Sequence, residues 1–257
     1  GTAAFVYCWK LPLWSHGAGM SMIALAGYFG LVRCSTTAIS KPDWWSAIGF
    51  GFFGAMAIAV RPTHALLIAP MGIVVLVRCF RALRIDNAGT NFFIWAGILG
   101  ASIPLGIEML TRYAAFGSVF FNGYAAKGEG FDWSAPHLWD VLAYTHIGPM
   151  NGGRGIFTSH PITILALAGL ALAFVKMKSA WRWYALGSIL AFGAMAYIYG
   201  SWWFWNLGWS YGARWSADFF FPLAIGAACL IAIVHKRPQR SLWYITPLAL
   251  WSIATCL

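Results

Sequence analysis

The clearest chemistry in the chain belongs to an arginine set among aromatic side chains. Trp202 to Pro222 reads WWFWNLGWSYGARWSADFFFP, and beside its ten aromatic residues only Arg214 and Asp218 are charged. A guanidinium is always charged and forks naturally onto phosphate. Trp and Tyr rings gather at the headgroup level of a bilayer, and Gly208 and Gly212 let the backbone turn there. The pattern predicts a membrane-interface loop in which Arg214 holds an anionic headgroup. Arg214 and Asp218 are also four apart, a spacing that suits an ion pair bracing the next helix.

Further candidates share the same chemistry. In NGGRGIFTSHP (151–161), glycines surround Arg154, and His160 stands just before an apolar run. Backbone amides at such a junction, with a guanidinium nearby, can cradle an anion. Arg61, Pro62 and His64 fall in a tight turn between two apolar runs, where the arginine either snorkels or contacts phosphate. His16 opens the first apolar run, as an interfacial residue or as a ligand for a headgroup or sugar hydroxyl. Glu129 and Asp132, with Asp140, are acids available on the acceptor side, since transfer to a hydroxyl or amine needs a carboxylate near the acceptor. None of them sits in a context that marks a catalytic base. His137, Asp140 and His146 have no spacing diagnostic of a metal site, so no metal and no cofactor is assigned. Gly49, Gly51 and Gly54 spell GFGFFG, a formal dinucleotide fingerprint, but no strand precedes it and the run is apolar; close helix packing is expected instead.

The elements that must carry these residues are membrane helices. Of the 257 residues 60% are apolar and 9% charged, and the mean hydropathy is +0.69, far from a soluble domain. The net charge of +10 comes from basic clusters lying between apolar runs, which reads as topology signals and excludes a nucleic-acid groove. Five scattered cysteines imply neither a disulfide framework nor a zinc site. The start, GTAAFVYCW, has no Met and no basic n-region, as expected of a processed chain or part of a longer one.

A hydrocarbon core of roughly 30 Å needs some twenty apolar residues. Runs of about that length predict spans near Gly17–Val32, Trp44–Val60, Ala65–Val77, Phe92–Glu108, Pro161–Val175, Trp183–Trp205, Phe219–Val234 and Leu242–Leu257. The fold expected is an all-α, polytopic bundle of about eight transmembrane helices, the third unusually short, forming one transmembrane domain over residues 1–257. Eleven basic residues, from Arg33 to Arg240, fall on one side, which the positive-inside rule makes cytoplasmic. On the other side a long outer loop, about 111–160, is rich in aromatic residues. It is expected to hold interfacial helices, for example Ser134–Tyr144 with Leu138, Val141 and Leu142 on one face.

In order, SHGAGM, RPTHALLIAP, YAAFGSVFFNGY, FDWSAPHLWDVL, NGGRGIFTSHPITILALAGL and WSYGARWSADFFFPLAIG give a chain that resembles bacterial polytopic glycosyltransferases of the C superfamily, relatives of the protein mannosyltransferases and aminoarabinose transferases. The resemblance implies transfer of a sugar from a polyprenyl-phosphate donor to an acceptor on the extracytoplasmic face of the inner membrane. Arg154 and Arg214 would hold donor phosphate, and His16 and Arg61 would line the same cavity. The family carries its catalytic acid in the first outer loop. No segment here matches that loop, so the chain is expected to begin several helices into the pattern. Two other classes compete. A transporter would place ionisable groups at mid-membrane and break helices in paired repeats, and a structural subunit would use its aromatic surface only for lipid or neighbours. Convergence of Arg61, Arg154 and Arg214 favours the transferase.

Overall fold

The structure is a computed structural model that describes residues 15–33, 43–83, 87–120, 130–134, 136–143, 155–178, 180–202 and 214–234. Nine α-helices occur among them: α1 Ser15–Gly27, α2 Trp44–Val60, α3 Ala65–Leu83, α4 Asn87–Phe116, α5 Leu138–Ala143, α6 Ile156–Ser159, α7 Ile162–Lys176, α8 Trp181–Ser201 and α9 Phe220–Val234. Apart from an isolated bridge between Phe131 and Trp202, the described residues form an all-helical protein. Pro62–Arg81, Gly89–Phe116, Trp181–Ser201 and Ser216–Ile233 are long and apolar enough to cross a membrane, and Trp44–Val60 and Ile162–Lys176 are shorter apolar helices. This is the build of a membrane protein. The run expected at Leu242–Leu257 lies outside the described residues.

Charged residues do not stop the helices where the sequence suggests. The expected short span, Ala65–Val77, continues through Arg78 and Arg81 to Leu83, because long basic side chains can follow the helix surface while the backbone keeps its hydrogen bonds. The helix expected at Phe92–Glu108 runs from Asn87 to Phe116, about 45 Å at 1.5 Å per residue. It takes the first residues of the expected outer loop. An i,i+4 ion pair, Arg112 Nε to Glu108 Oε1 at 2.6 Å, carries it across its two charges. The interfacial helix expected from Ser134 begins only at Leu138, since the Asp132 carboxylate takes the Ser134 backbone N–H at 3.0 Å and its hydroxyl at 2.6 Å, which holds a turn there. Val141 is buried and Leu142 packs on the core, while Leu138 stays exposed.

Glycine decides which helices touch. A Cβ on Gly51 would overlap the Gly97 carbonyl, and one on Gly100 the Ile48 carbonyl, so α2 and α4 meet backbone to backbone. The GFGFFG run is therefore a packing seam. Gly169 and Gly226 do the same for α7 and α9. The end of α1 widens into a π-helical turn, Tyr28–Arg33, where Gly30 admits the Phe50 ring and Gly49 the Phe29 ring. Arg33 then pairs with Asp43 at 2.7 Å, joining the last turn of α1 to the start of α2. The core gathers Ile23, Leu67, Met71, Tyr184, Met195 and Phe219. By contrast, Phe92, Trp95, Leu99, Ile103 and Leu110 leave α4 with an exposed apolar flank. Such a flank is suited to lipid and would be an aggregation surface in water.

Candidate functional site

At the helix ends away from Arg33, the turn between α2 and α3 delivers two basic side chains onto one buried carboxylate. Arg61 leaves α2 in an extended conformation, and Pro62 opens the 3-10 turn Pro62–His64 that leads into α3; a proline fits there because that N–H has no helical partner. Arg61 Nη1 donates to Asp218 Oδ2 at 3.0 Å and lies 3.4 Å from the Tyr199 hydroxyl of α8. Asp218 belongs to the 3-10 helix Arg214–Phe219 just before α9. Its side chain is fully buried, whereas that of Arg61 is 23% exposed. A buried carboxylate needs such a partner, because desolvation disfavours the bare charge.

His64 completes the cluster from within. Its side chain is also fully buried, and Nδ1 sits 2.8 Å from the Ala57 carbonyl. A carbonyl only accepts, so Nδ1 carries a hydrogen and Nε2 is the atom turned to Asp218. Nε2 lies 3.2 Å from Oδ2, yet makes no well-directed hydrogen bond there. Gly19 of α1 makes room, since a Cβ at that position would overlap His64 Cε1. Three segments distant in sequence, the α2–α3 turn, α8 and α1, thus gather around a carboxylate carried by a fourth.

The expected site residues divide by what the structure describes. Arg61 is present with its partners. Arg214 heads the 3-10 helix that holds Asp218, about 8 Å away along its axis at 2.0 Å per residue, but its side chain lies outside what is described. His16 stands in the first turn of α1, one turn before Gly19, and its side chain is likewise outside. Arg154 and Glu129 lie outside the described residues. The segment immediately after Arg154 is tied to the cluster by rings: Phe157 stacks on Phe192 at 6.1 Å, and Phe192 meets the edge of Phe219, next to Asp218, at 5.3 Å. Arg61 and the backbone of Arg214 therefore share one end of the bundle.

His160 closes α6 and accepts the Thr163 N–H at its carbonyl. Burial holds its imidazole below the ordinary range, partly offset by a hydrogen bond to the Ser159 backbone. The lowered value favours the neutral imidazole over the cation. Asp132 is exposed and engaged with Ser134. His137 Nδ1 lies 3.0 Å from Asp140 Oδ2. Among the described residues no three His, Cys, Asp or Glu side chains come together as metal ligands.

The sequence reading set Asp218 beside Arg214 and did not reach Tyr199, Gly19 or the inward turn of His64. One signal was available. A lone acid in an apolar stretch must find a cation, and the RPTH turn offers an arginine, with a histidine three residues on, at the same end. No protein-family model, no curated protein and no solved structure matches the chain.

Proposed function

We propose that the chain is all or part of a membrane glycosyltransferase that moves a sugar from a polyprenyl-phosphate donor to an acceptor. In this reading about eight spans cross a bacterial inner membrane, membrane lipid surrounds them, and the working face is extracytoplasmic. The observation that carries the reading is the grip of buried Asp218 on Arg61. It fixes a partly exposed guanidinium at the bundle end where the backbone of Arg214 also lies. Several arginines at one membrane-level end suit a phosphate that enters from the lipid. Arg214 and Arg154 hold the donor phosphate, Arg61 and His16 border it, and His160 supplies a neutral hydrogen-bonding group. No residue of this chain is assigned as the catalytic base, and Glu129 and Asp132 stand on the acceptor side. The test is transfer of labelled sugar from a polyprenyl-phosphate donor in vesicles carrying the chain with whatever its gene encodes around it. Transfer lost on Arg214→Ala supports the reading, and no transfer by the wild type overturns it.

A second reading is favoured by the same pair. Because Arg61 already has a carboxylate, the cluster also works as an interhelical lock in a non-catalytic subunit of a membrane complex. That reading expects the cluster to matter for stability and not for binding of a lipid phosphate.

A further inference from the structure

The last turn of α8 presents two tyrosines to opposite sides. Tyr199 reaches Arg61, whereas Tyr197, two residues earlier and so on the other face, meets the segment 131–134. There Phe131 and Trp133 stack at 4.9 Å with 11° between their planes, and Trp133 and Tyr197 stack at 5.9 Å with 21°. Each ring remains exposed, Trp133 by 52%. The row is held rigidly. The Tyr197 hydroxyl donates to the Trp133 carbonyl at 2.5 Å. The Asp132 N–H donates to Ser201 at 2.6 Å, and His137 N–H to Gly200 at 2.8 Å. Gly200 has no room for a Cβ without pressing on the His137 backbone.

Charge and shape narrow the occupant. The chain carries +10, yet the described stretch from Gly130 to Ala143 contains Asp132 and Asp140 and neither Lys nor Arg. An anionic headgroup is drawn to basic residues, so this spot disfavours one. A cation cage needs rings that meet at angles around the charge, and these rings are nearly parallel. We propose that Phe131, Trp133 and Tyr197 form a binding ledge for a neutral sugar ring, with the Asp132 carboxylate accepting from its hydroxyls. The polarised C–H face of a sugar packs on the negative face of an aromatic ring, and a few placed polar groups orient it. Preformed rings lose little freedom on binding. The ledge binds sugar on its own account; only its service as a transferase subsite rests on the reading above.

The test is calorimetric titration of the full chain in nanodiscs with neutral trisaccharides of glucose, mannose, galactose and N-acetylglucosamine. At least one is expected to bind. Trp133→Ala is expected to weaken it tenfold or more, Trp133→Phe to keep most of the binding, and Trp139→Ala, exposed but outside the row, to change it less than twofold. The Phe variant guards against loss of fold in the Ala variant. Binding by none of the four, or equal effects at Trp133 and Trp139, overturns the ledge and leaves an aromatic membrane-interface belt. Sugar binding without any transfer activity retains the ledge and removes the transferase reading.

Discussion

Arg61 and Asp218 meet at 3.0 Å across 157 positions of sequence. The carboxylate is fully buried and the guanidinium partly so, and His64 presses on the same oxygen. The pair ties the α2–α3 turn to the segment that starts α9. Removing one partner of a buried pair leaves an uncompensated charge and costs about 3–5 kcal/mol, whereas replacing both by apolar groups is often near neutral. Asp218→Ala is expected to lose about that much in a denaturant titration of the detergent-solubilised chain. Arg61→Met combined with Asp218→Leu is expected to recover more than half of the loss. Equal losses in the single and double variants would remove the pair as the organising contact.

The helix seams make a contrast between two glycines. Gly169 faces the Gly226 carbonyl with no space for a Cβ, while Gly193 of α8 has nothing within 4 Å. Gly169→Ala is expected to separate α7 from α9 and to destabilise by roughly 1–3 kcal/mol, as overpacking does. Gly193→Ala is expected to be neutral or stabilising by up to about 1 kcal/mol, because alanine is the better helix former. Thermal unfolding of the two variants side by side checks both signs.

His160 gives a pH dependence. Burial lowers its folded-state pKa below the unfolded value, which is about 6.5. Above that value the imidazole is neutral in both states and contributes no pH dependence. As the pH falls below it, the unfolded chain binds the proton first, so stability declines until the lowered folded pKa is passed, and then levels off. His160→Gln is expected to flatten the part of the stability profile that lies just below pH 6.5, relative to wild type. An unchanged slope would assign that part to other groups.

Much of the helix layout was legible because a charge-free apolar run in lipid has little choice but to be helical. Trp44–Val60 appears at its expected limits. Boundaries failed where charge was read as a stop: Arg78 and Arg81 remain on α3, and Glu108 and Arg112 pair along α4. Local spacing reached only part of the site. Arg214 and Asp218 suggest an i,i+4 pair whose arginine side chain lies outside what is described, while the described partners of Asp218 come from the α2–α3 turn. Periodicity along one segment carries no information about which turn the tertiary fold brings alongside. The role of Gly19 was equally hidden, because its meaning depends on the His64 ring above it.

The most direct test of the central claim is binding of undecaprenyl phosphate to the chain by native mass spectrometry, comparing wild type with Arg214→Ala and Arg112→Ala. Arg112 serves as the control because it is engaged with Glu108 on α4. A charge-assisted hydrogen bond is worth about 1.5–3 kcal/mol, so loss of Arg214 is predicted to weaken binding about tenfold or more and loss of Arg112 to leave it within twofold. Unchanged affinity in Arg214→Ala, or an equal drop in both variants, would contradict a phosphate site at this end of the bundle.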